Sequence, residues 1–370
     1  MLDAPGPWGT GPFVLSEGYS SIQNIPALIE NAPFAAAWLT VMEERTRYVI
    51  LDANKAYHNR GRGPKLDKAV FRNDLTKEQA LELCKNTEGQ VDIVTELSPD
   101  EAERTVASKY ARLVISNGNE AVAGIFNRYR KNVNFDSLSL RLAINLALDR
   151  ELLIENAYNG FAEAPPALTP SFAQDFPPEL KPFPFDPGQA RSLLAEGAYP
   201  SGRVLRMASF QKHQKLLKAT AAQIQNGLGI QVEYSILPAE QEVYWRRLIA
   251  EKKFNPPWDI FIGEASALFY EGTPAYFHRE LLGRDGSLRT GPVLNEFEEI
   301  YAKMSAETDR SRLLEAARDV DRFVHHHALL LFLCVPNKLY AVNKHVDFKP
   351  YATTFELAET SVDAGHWSRR

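Results

Sequence analysis

Three consecutive histidines, His325, His326 and His327, are the residues of this chain most suited to binding a metal ion. In a regular helix, consecutive side chains point about 100° apart, so the three cannot chelate one ion together. Two of them could still join ligands from elsewhere in the chain. Histidines near the C-terminal end of a helix are also stabilised by its dipole, which accounts for them without a metal. We therefore predict no metal site.

Motifs for catalysis are absent from the sequence. It contains no nucleophile elbow, HExxH zinc motif, Walker phosphate loop or CxxC pair. The turn Gly9–Pro12 lacks the lysine and the helix start that a phosphate-binding loop needs. The two cysteines, Cys84 and Cys334, are interpreted as buried free thiols. We predict no catalytic residues and no cofactor.

The composition is that of a globular protein, and it argues against two classes of function. Of the 370 residues, 45% are hydrophobic and 24% charged, which is enough for two lobes. The net charge of −5 and the scattered lysines and arginines argue against nucleic-acid binding. The longest apolar run, Ala328–Val335, is too short to span a bilayer. Residues 1–13 lack the basic and apolar regions of a secretory signal.

The elements that must position a polar site are clearest in the segment 123–170. An apolar strand ends at Asn127, and leucines at every fourth position then predict a helix that Asp136 or Ser137 can cap. Asp149 is placed to cap a second helix directly afterwards. Farther along the chain, predicted strands and helices alternate. This order predicts an α/β sheet.

The joint spacing of residues in this segment resembles the signature of the peptide/nickel class of ABC-transporter solute-binding proteins, family 5. The matching positions are Phe126, Asn127, Arg141, Ala143, Ala147, Asp149, Arg150, Gly160, Ala162 and Pro166. A second block, Pro184–Gly202, resembles the YDP..A..LL.EAGYP.G pattern of the same family, and Trp8–Leu15 resembles its GTGPF.L block. The resemblance covers nearly the whole chain from Gly9 onward.

The resemblance implies an α/β fold of the type II periplasmic-binding-protein kind, with two lobes and a hinge. The first lobe would comprise residues 1–128 plus 337–370, and the second residues 129–336. Family members carry further strands before the GTGPF block. The first lobe is therefore expected to be discontinuous and incomplete, and a separate chain could supply the missing N-terminal part.

The hinge would consist of the two crossings between the lobes. Arg130 lies near the first predicted crossing, and Pro336 and Asn337 lie at the second. Closure of the lobes over a bound solute by hinge motion would be the mechanism.

The ligand-binding residues implied by the resemblance lie at strand ends. In oligopeptide- and dipeptide-binding relatives, an aspartate after the strand at Trp258–Ile262 pairs with the α-ammonium group of the peptide, but this chain has Leu268 near that position. Glu264 or Glu271 could substitute, or both could be solvated loop acids. The predicted ligand-binding residues are Asn127, Arg128, Glu264, Ser266, Tyr270 and Glu271.

The resemblance implies a solute-binding component of an ABC importer. It would bind a small, peptide-like solute in an interlobe cleft and deliver it to an ABC permease in the membrane. The location would be periplasmic or extracellular, although the lack of a signal in this chain leaves the cytoplasm open. Two alternatives remain: an intracellular ligand-sensing domain of the same fold, and a non-functional truncated product.

Overall fold

The computed structural model describes residues 10–18, 46–130, 132–238, 241–252, 255–266, 275–351 and 356–370. Its strands, in chain order, are β1 (Phe13–Glu17), β2 (Tyr48–Ala53), β3 (Lys68–Arg72), β4 (Ile93–Val94), β5 (Ala111–Ser116), β6 (Glu120–Phe126), β7 (Ala162–Glu163), β8 (Leu205–Phe210), β9 (Val232–Leu237), β10 (Ile260–Ser266), β11 (Leu330–Pro336), β12 (Lys338–Asn343), β13 (Val346–Asp347) and β14 (Ser361–Val362).

Helices separate most of these strands. In chain order they are α1 (Lys77–Asn86), α2 (Pro99–Val106), α3 (Leu138–Leu146), α4 (Arg150–Tyr158), α5 (Pro187–Glu196), α6 (Gln214–Leu228), α7 (Glu242–Ala250), α8 (Ala275–Leu282), α9 (Asn295–Ser305) and α10 (Arg310–His326). Two short 3-10 turns, Gln211–His213 and Trp367–Arg369, complete the described elements. In the described part of the chain, no helix is long and apolar enough to cross a membrane.

Contacts divide the chain into two compact units, Met1–Ser116 with Lys338–Arg370, and Asn117–Asn337. In the first unit, β1, β2 and β3 form one antiparallel sheet and β4, β12 and β5 form another. The late strand β12 lies between two early strands. The C-terminal segment is therefore part of the first unit.

The middle unit contains a six-stranded sheet in the order β7-β11-β6-β10-β8-β9. Strand β10 runs antiparallel to β6 and parallel to β8. One face of the sheet packs against a core that includes residues of α3 to α6, and the other against a core that includes residues of α8 to α10. The α/β class predicted from the sequence is confirmed.

The contact division differs from the predicted lobes, 1–128 with 337–370 and 129–336, at the first crossing. Strand β6 belongs to the middle unit, because it pairs with β10 on one side and β11 on the other. That crossing therefore follows Ser116. The division into two lobes stays a prediction.

Side-chain caps begin several helices, as the sequence predicts. Asp149 accepts a hydrogen bond from the Leu152 amide at α4, and Asp186 accepts one from the Gln189 amide at α5. For α3 the sequence left two candidates, and Ser137 is the residue that caps it. The segment 275–305 contains α8 and α9.

Two arginines of the family-like signature are buried in the middle unit, and neither has a carboxylate partner among the residues that the structure describes. Arg141 donates to the carbonyl oxygens of His327 and Phe135, at 2.7 and 2.6 Å. Arg150 donates to the carbonyl oxygen of Phe332 at 2.8 Å. Burial lowers the pKa of both guanidinium groups to about 10, so both stay charged at neutral pH. Their role is to join α3 and α4 to β11 and its preceding turn.

Candidate functional site

The carboxyl ends of β8 and β10 define one edge of the six-stranded sheet. The two strands run parallel, with Ile260 opposite Met207 and Ile262 opposite Ser209. A 3-10 turn, Gln211–His213, follows β8 at this edge. In open α/β sheets, ligands bind beyond the carboxyl ends of parallel strands. Polar residues at this edge are therefore the first candidates for a ligand site.

Glu264 is the carboxylate at this edge, and two bases hold it. The Lys212 ammonium group donates to Oε1, and the His213 Nε2 atom lies 2.9 Å from Oε2. Burial alone would raise the pKa of Glu264, but hydrogen bonds and charge from His213 and Lys212 outweigh it and lower the pKa to about 2. With 18% of its side chain exposed, Glu264 is an ionised carboxylate that a solute can still reach.

His213 contributes a second polar atom to this edge. Because Nε2 faces the Glu264 carboxylate, that nitrogen must carry the proton. The other ring nitrogen, Nδ1, is buried and has no hydrogen-bond partner among the residues that the structure describes. His213 thus supplies one donor to Glu264 and one unused position.

A phenol and a second acid lie near Glu264. In the strand register, Val122 of β6 lies opposite both Glu264 of β10 and Cys334 of β11. Tyr158, the last residue of α4, hydrogen-bonds to Cys334. Its pKa is raised by burial first, then by Cys334 and by the charges of Glu264 and Glu120. The phenol is neutral at neutral pH, and its hydrogen bond to Cys334 places it in the core on this side of the sheet.

Asn127 and Arg128 lie at the opposite end of β6 from this edge. The Asn127 amide nitrogen donates to the carbonyl oxygens of Pro256 and Trp258, at 3.1 and 3.0 Å. The Arg128 guanidinium group binds the Asp136 carboxylate at 2.8 Å. Because β6 and β10 are antiparallel, Phe126 and the Val122–Glu264 pair are about 13 Å apart along the strand.

These contacts give Asn127 and Arg128 a structural role, which is to fix the turn before β10 and the loop before α3. The structure does not bring them together with Glu264. Their assignment as ligand-binding residues stays a prediction.

The remaining predicted ligand residues are placed only in part. Ser266 is the last residue of β10 and lies opposite Glu120. Tyr270 and Glu271 lie outside the described residues. Of the two candidate acids, the structure describes the surroundings of Glu264 and does not describe Glu271.

The predicted hinge residues have defined positions. Pro336 is the last residue of β11, and the Asn337 amide donates to the Phe161 carbonyl oxygen at 3.0 Å. Arg130 lies within the middle unit, where its Nε atom is 3.3 Å from Asp259. The crossings of the contact division follow Ser116 and Asn337. The hinge stays a prediction.

The histidine triplet is engaged in packing and capping. The His325 ring stacks on Phe183 at 4.4 Å, and its Nε2 atom lies 2.9 Å from the Lys181 carbonyl oxygen. The His327 Nδ1 atom lies 2.9 Å from the Phe323 carbonyl oxygen. Within the described ranges, no group of three or more His, Cys, Asp and Glu side chains could hold a metal ion.

Sequence reasoning missed Lys212 and His213. The usable signal was a charged segment, Gln211–Lys215, directly after a predicted strand. That signal alone did not indicate that β8 would lie beside β10.

Comparison with known proteins shows which family this chain resembles. The family model for the bacterial extracellular solute-binding proteins, family 5 Middle, matches residues 3–279. The glutathione-binding protein GsiB of Escherichia coli K12 is 28% identical over 203 residues, which cover 50% of this chain and 37% of that protein. GsiB of Pectobacterium atrosepticum is 31% identical over 139 residues, which cover 35% of this chain and 27% of that protein.

Solved structures show the same fold. The periplasmic murein tripeptide binding protein MppA gives a TM-score of 0.73 at 15% identity, covering 98% of this chain and 65% of that one. The substrate-binding protein CtaP of Listeria monocytogenes gives 0.74 at 16% identity, covering 96% and 67%. DppA of Helicobacter pylori, in complex with the peptide STSA, gives 0.64 at 20%, covering 96% and 63%. The type II periplasmic-binding-protein fold predicted from the sequence is confirmed.

Proposed function

Because this chain belongs to family 5 of the bacterial extracellular solute-binding proteins, we propose that it is the solute-binding part of an ABC importer and captures a small, peptide-like solute. The chain spans 37% of the length of the glutathione-binding relative from Escherichia coli K12. The proposal therefore concerns the contribution of the described residues, and above all of the middle unit.

The observation that carries this proposal is the ionised carboxylate of Glu264 at the edge formed by β8 and β10. A peptide has an ammonium group at one end and a carboxylate at the other. The ligand ammonium can replace the Lys212 ammonium at Glu264, and the released Lys212 can then bind a ligand carboxylate. The edge thus offers one partner for each charged end of a zwitterion.

The names of similar proteins favour the same solute class. They describe a glutathione-binding protein, a murein tripeptide binding protein and a protein in complex with the peptide STSA. An ABC permease as partner and a periplasmic or extracellular location are parts of the same proposal. We also propose binding without turnover, so a peptide recovered from the complex should be chemically unchanged.

Titration calorimetry with a dipeptide, a tripeptide and glutathione tests the proposal. Glu264→Gln removes the negative charge and keeps the size of the side chain. We expect binding of the preferred peptide to weaken roughly tenfold or more, the worth of one charge-assisted hydrogen bond. The same peptide with an acetylated N-terminus should bind the unchanged protein with a similar loss.

Glu233→Gln is the matched control, since Glu233 is an exposed acid on the neighbouring strand β9. Peptide binding that survives Glu264→Gln without loss would remove Glu264 from the site. Failure of the unchanged protein to bind any peptide would contradict the solute class. Native mass spectrometry of the purified protein would then identify a co-purified solute directly.

A further inference from the structure

A polar cavity lies in the first unit, beside the strand pair β13–β14. Its volume is about 210 Å³, below the roughly 300–1,000 Å³ of pockets for drug-sized ligands. A ligand of this cavity must therefore be small. The polar residues that line it are Arg112, Lys344, His345, Asp347, Ser361 and Asp363.

The two long cations of this cavity are bound only to carbonyl oxygens. Arg112 donates to the Val346 carbonyl oxygen at 3.1 Å, and the Lys344 ammonium group donates to that of Ser108 at 2.9 Å. Among the residues that the structure describes, neither cation has a carboxylate within ion-pair distance. A carbonyl dipole orients a cation but leaves its charge in place. Both positive charges therefore remain available to a ligand.

The two acids of the cavity already have partners. Asp363 accepts hydrogen bonds from the Gly365 amide at 2.7 Å and lies 3.0 Å from His345 Nδ1, and these bonds lower its pKa. Asp347 is paired with Lys349 at 3.0 Å. The lining thus holds two carboxylates that already have partners and two cations that have none among the carboxylates of the described residues. The charges left for a ligand are the positive ones.

The walls of the cavity are fixed by close packing. A Cβ atom at Gly365 would lie 2.6 Å from the His345 Cε1 and Nδ1 atoms, so a side chain at this position would displace the ring. Val346 and Val362 pair across the two strands and pack with Tyr340 and Phe348 in a small core. The Ser361 hydroxyl group has no hydrogen-bond partner among the described residues. A guanidinium, an ammonium and a hydroxyl group are therefore the donors on a rigid support.

We propose that this cavity binds a small oxyanion of phosphate or sulfate size through Arg112, Lys344 and Ser361. The chemistry of the donors favours this class. A guanidinium group pairs with two oxygens of an oxyanion at once, while an ammonium group acts as a point charge and a hydroxyl group can donate one hydrogen bond. The site belongs to the first unit, whereas Glu264 belongs to the middle unit. The proposal is therefore independent of the solute proposed for Glu264.

The test is titration of the full chain with inorganic phosphate and, separately, with sulfate, at an ionic strength held constant with chloride. We expect saturable binding of at least one of the two anions, and a higher melting temperature in its presence. Arg112→Gln and Lys344→Gln should each weaken binding roughly tenfold, the worth of one charge-assisted hydrogen bond. Lys349→Gln is the matched control and should leave the affinity within about twofold, because Lys349 is paired with Asp347 outside the cavity lining.

Ser361→Asp guards against variants that fail only because they unfold. It places a carboxylate in the cavity without removing any hydrogen bond described for Ser361, and it should abolish binding while the chain stays folded by circular dichroism. Saturable binding that persists in Ser361→Asp would overturn the proposal. So would the absence of binding to both anions, or equal losses in Lys344→Gln and Lys349→Gln.

Discussion

Strand β10 has a carboxylate near each end, and the two differ in burial and in the partners that hold them. Asp259, just before the strand, is completely buried and accepts two hydrogen bonds from Arg203 at 2.6 and 2.8 Å, and one from the Arg206 amide at 2.8 Å. Glu264, near the other end, is partly exposed and is held by a flexible lysine and a histidine.

The difference separates a carboxylate whose partners are all fixed from one that can exchange a partner for a ligand. Arg130 adds a further cation 3.3 Å from Asp259, so that carboxylate has no capacity left for a ligand. At Glu264 the lysine side chain is 49% exposed and can move away with little loss of packing. Cationic partners are thus common to both ends, but only at Glu264 can such a partner be exchanged for a ligand.

The largest effect on stability is expected at Asp259. Asp259→Ala leaves two arginines without their carboxylate, and we expect the free energy of unfolding to fall by about 3–5 kcal/mol. Urea unfolding followed by circular dichroism measures this loss. Asp319→Ala, at an exposed acid on α10, is the control and should change the free energy by less than about 1 kcal/mol. A loss at Asp259 no larger than the control would erase the contrast between the two ends.

The stabilising effect of Glu264 should depend on pH. Its folded-state pKa of about 2 lies below the ordinary value of 4.5, so its stabilisation is complete above about pH 4.5 and is lost as the pH falls toward 2. The stability of the unchanged protein relative to Glu264→Gln should therefore be greater near pH 7 than near pH 2, by roughly 3 kcal/mol. Urea unfolding of both proteins at several pH values measures the difference. A difference that stays constant down to about pH 3 would show that the Glu264 charge does not stabilise the fold.

Arg203→Lys tests whether the geometry of the hydrogen bonds to Asp259 contributes to stability, in addition to the charge. Lysine keeps the charge but cannot reproduce the two parallel hydrogen bonds to Asp259, so we expect a loss of about 1–2 kcal/mol in unfolding free energy. Thermal unfolding monitored by circular dichroism gives the comparison. An unchanged melting temperature would mean that charge alone holds Asp259.

The smallest effect on stability is expected for Lys212, the partner of Glu264 that a ligand can replace. Lys212→Gln should change the free energy of unfolding by less than about 1 kcal/mol, because the pair is half exposed on the lysine side. It should nevertheless change peptide binding, since Lys212 both competes for Glu264 and offers a charge to the ligand carboxylate. Urea unfolding and calorimetry on the same sample separate the two results. A loss of stability comparable to that of Asp259→Ala would make Glu264 a second structural site.

Much of the fold could be predicted from local patterns. The caps at Asp149 and Asp186, the strand that ends before Asn127 and the α/β alternation depend on neighbouring residues, and the structure confirms them. The family was recognised from the spacing of the signature, in which Arg141 and Arg150 proved to be buried residues that bind carbonyl oxygens.

The candidate site could be predicted only in part, because it depends on strand order. Glu264 was identified through the family resemblance, as one of two acids that could replace a missing aspartate, but Lys212 and His213 come from a segment about fifty positions earlier. They meet Glu264 only because β8 lies beside β10. Asn127 shows the opposite difficulty: a polar residue at a strand end suits a ligand and a turn equally well, and here the turn before β10 uses its amide.

The placement of the two cysteines has a practical consequence for kinetics. Cys84 lies in α1 of the first unit and Cys334 in β11 of the middle unit, both buried and unpaired, and the chain contains no others. Burial raises the pKa of each thiol to about 12, so neither reacts readily while its unit is folded. Labelling with a thiol reagent, followed by peptide mass spectrometry, can therefore measure the unfolding rate of each unit separately. The measurement uses the unaltered protein and needs no attached probe.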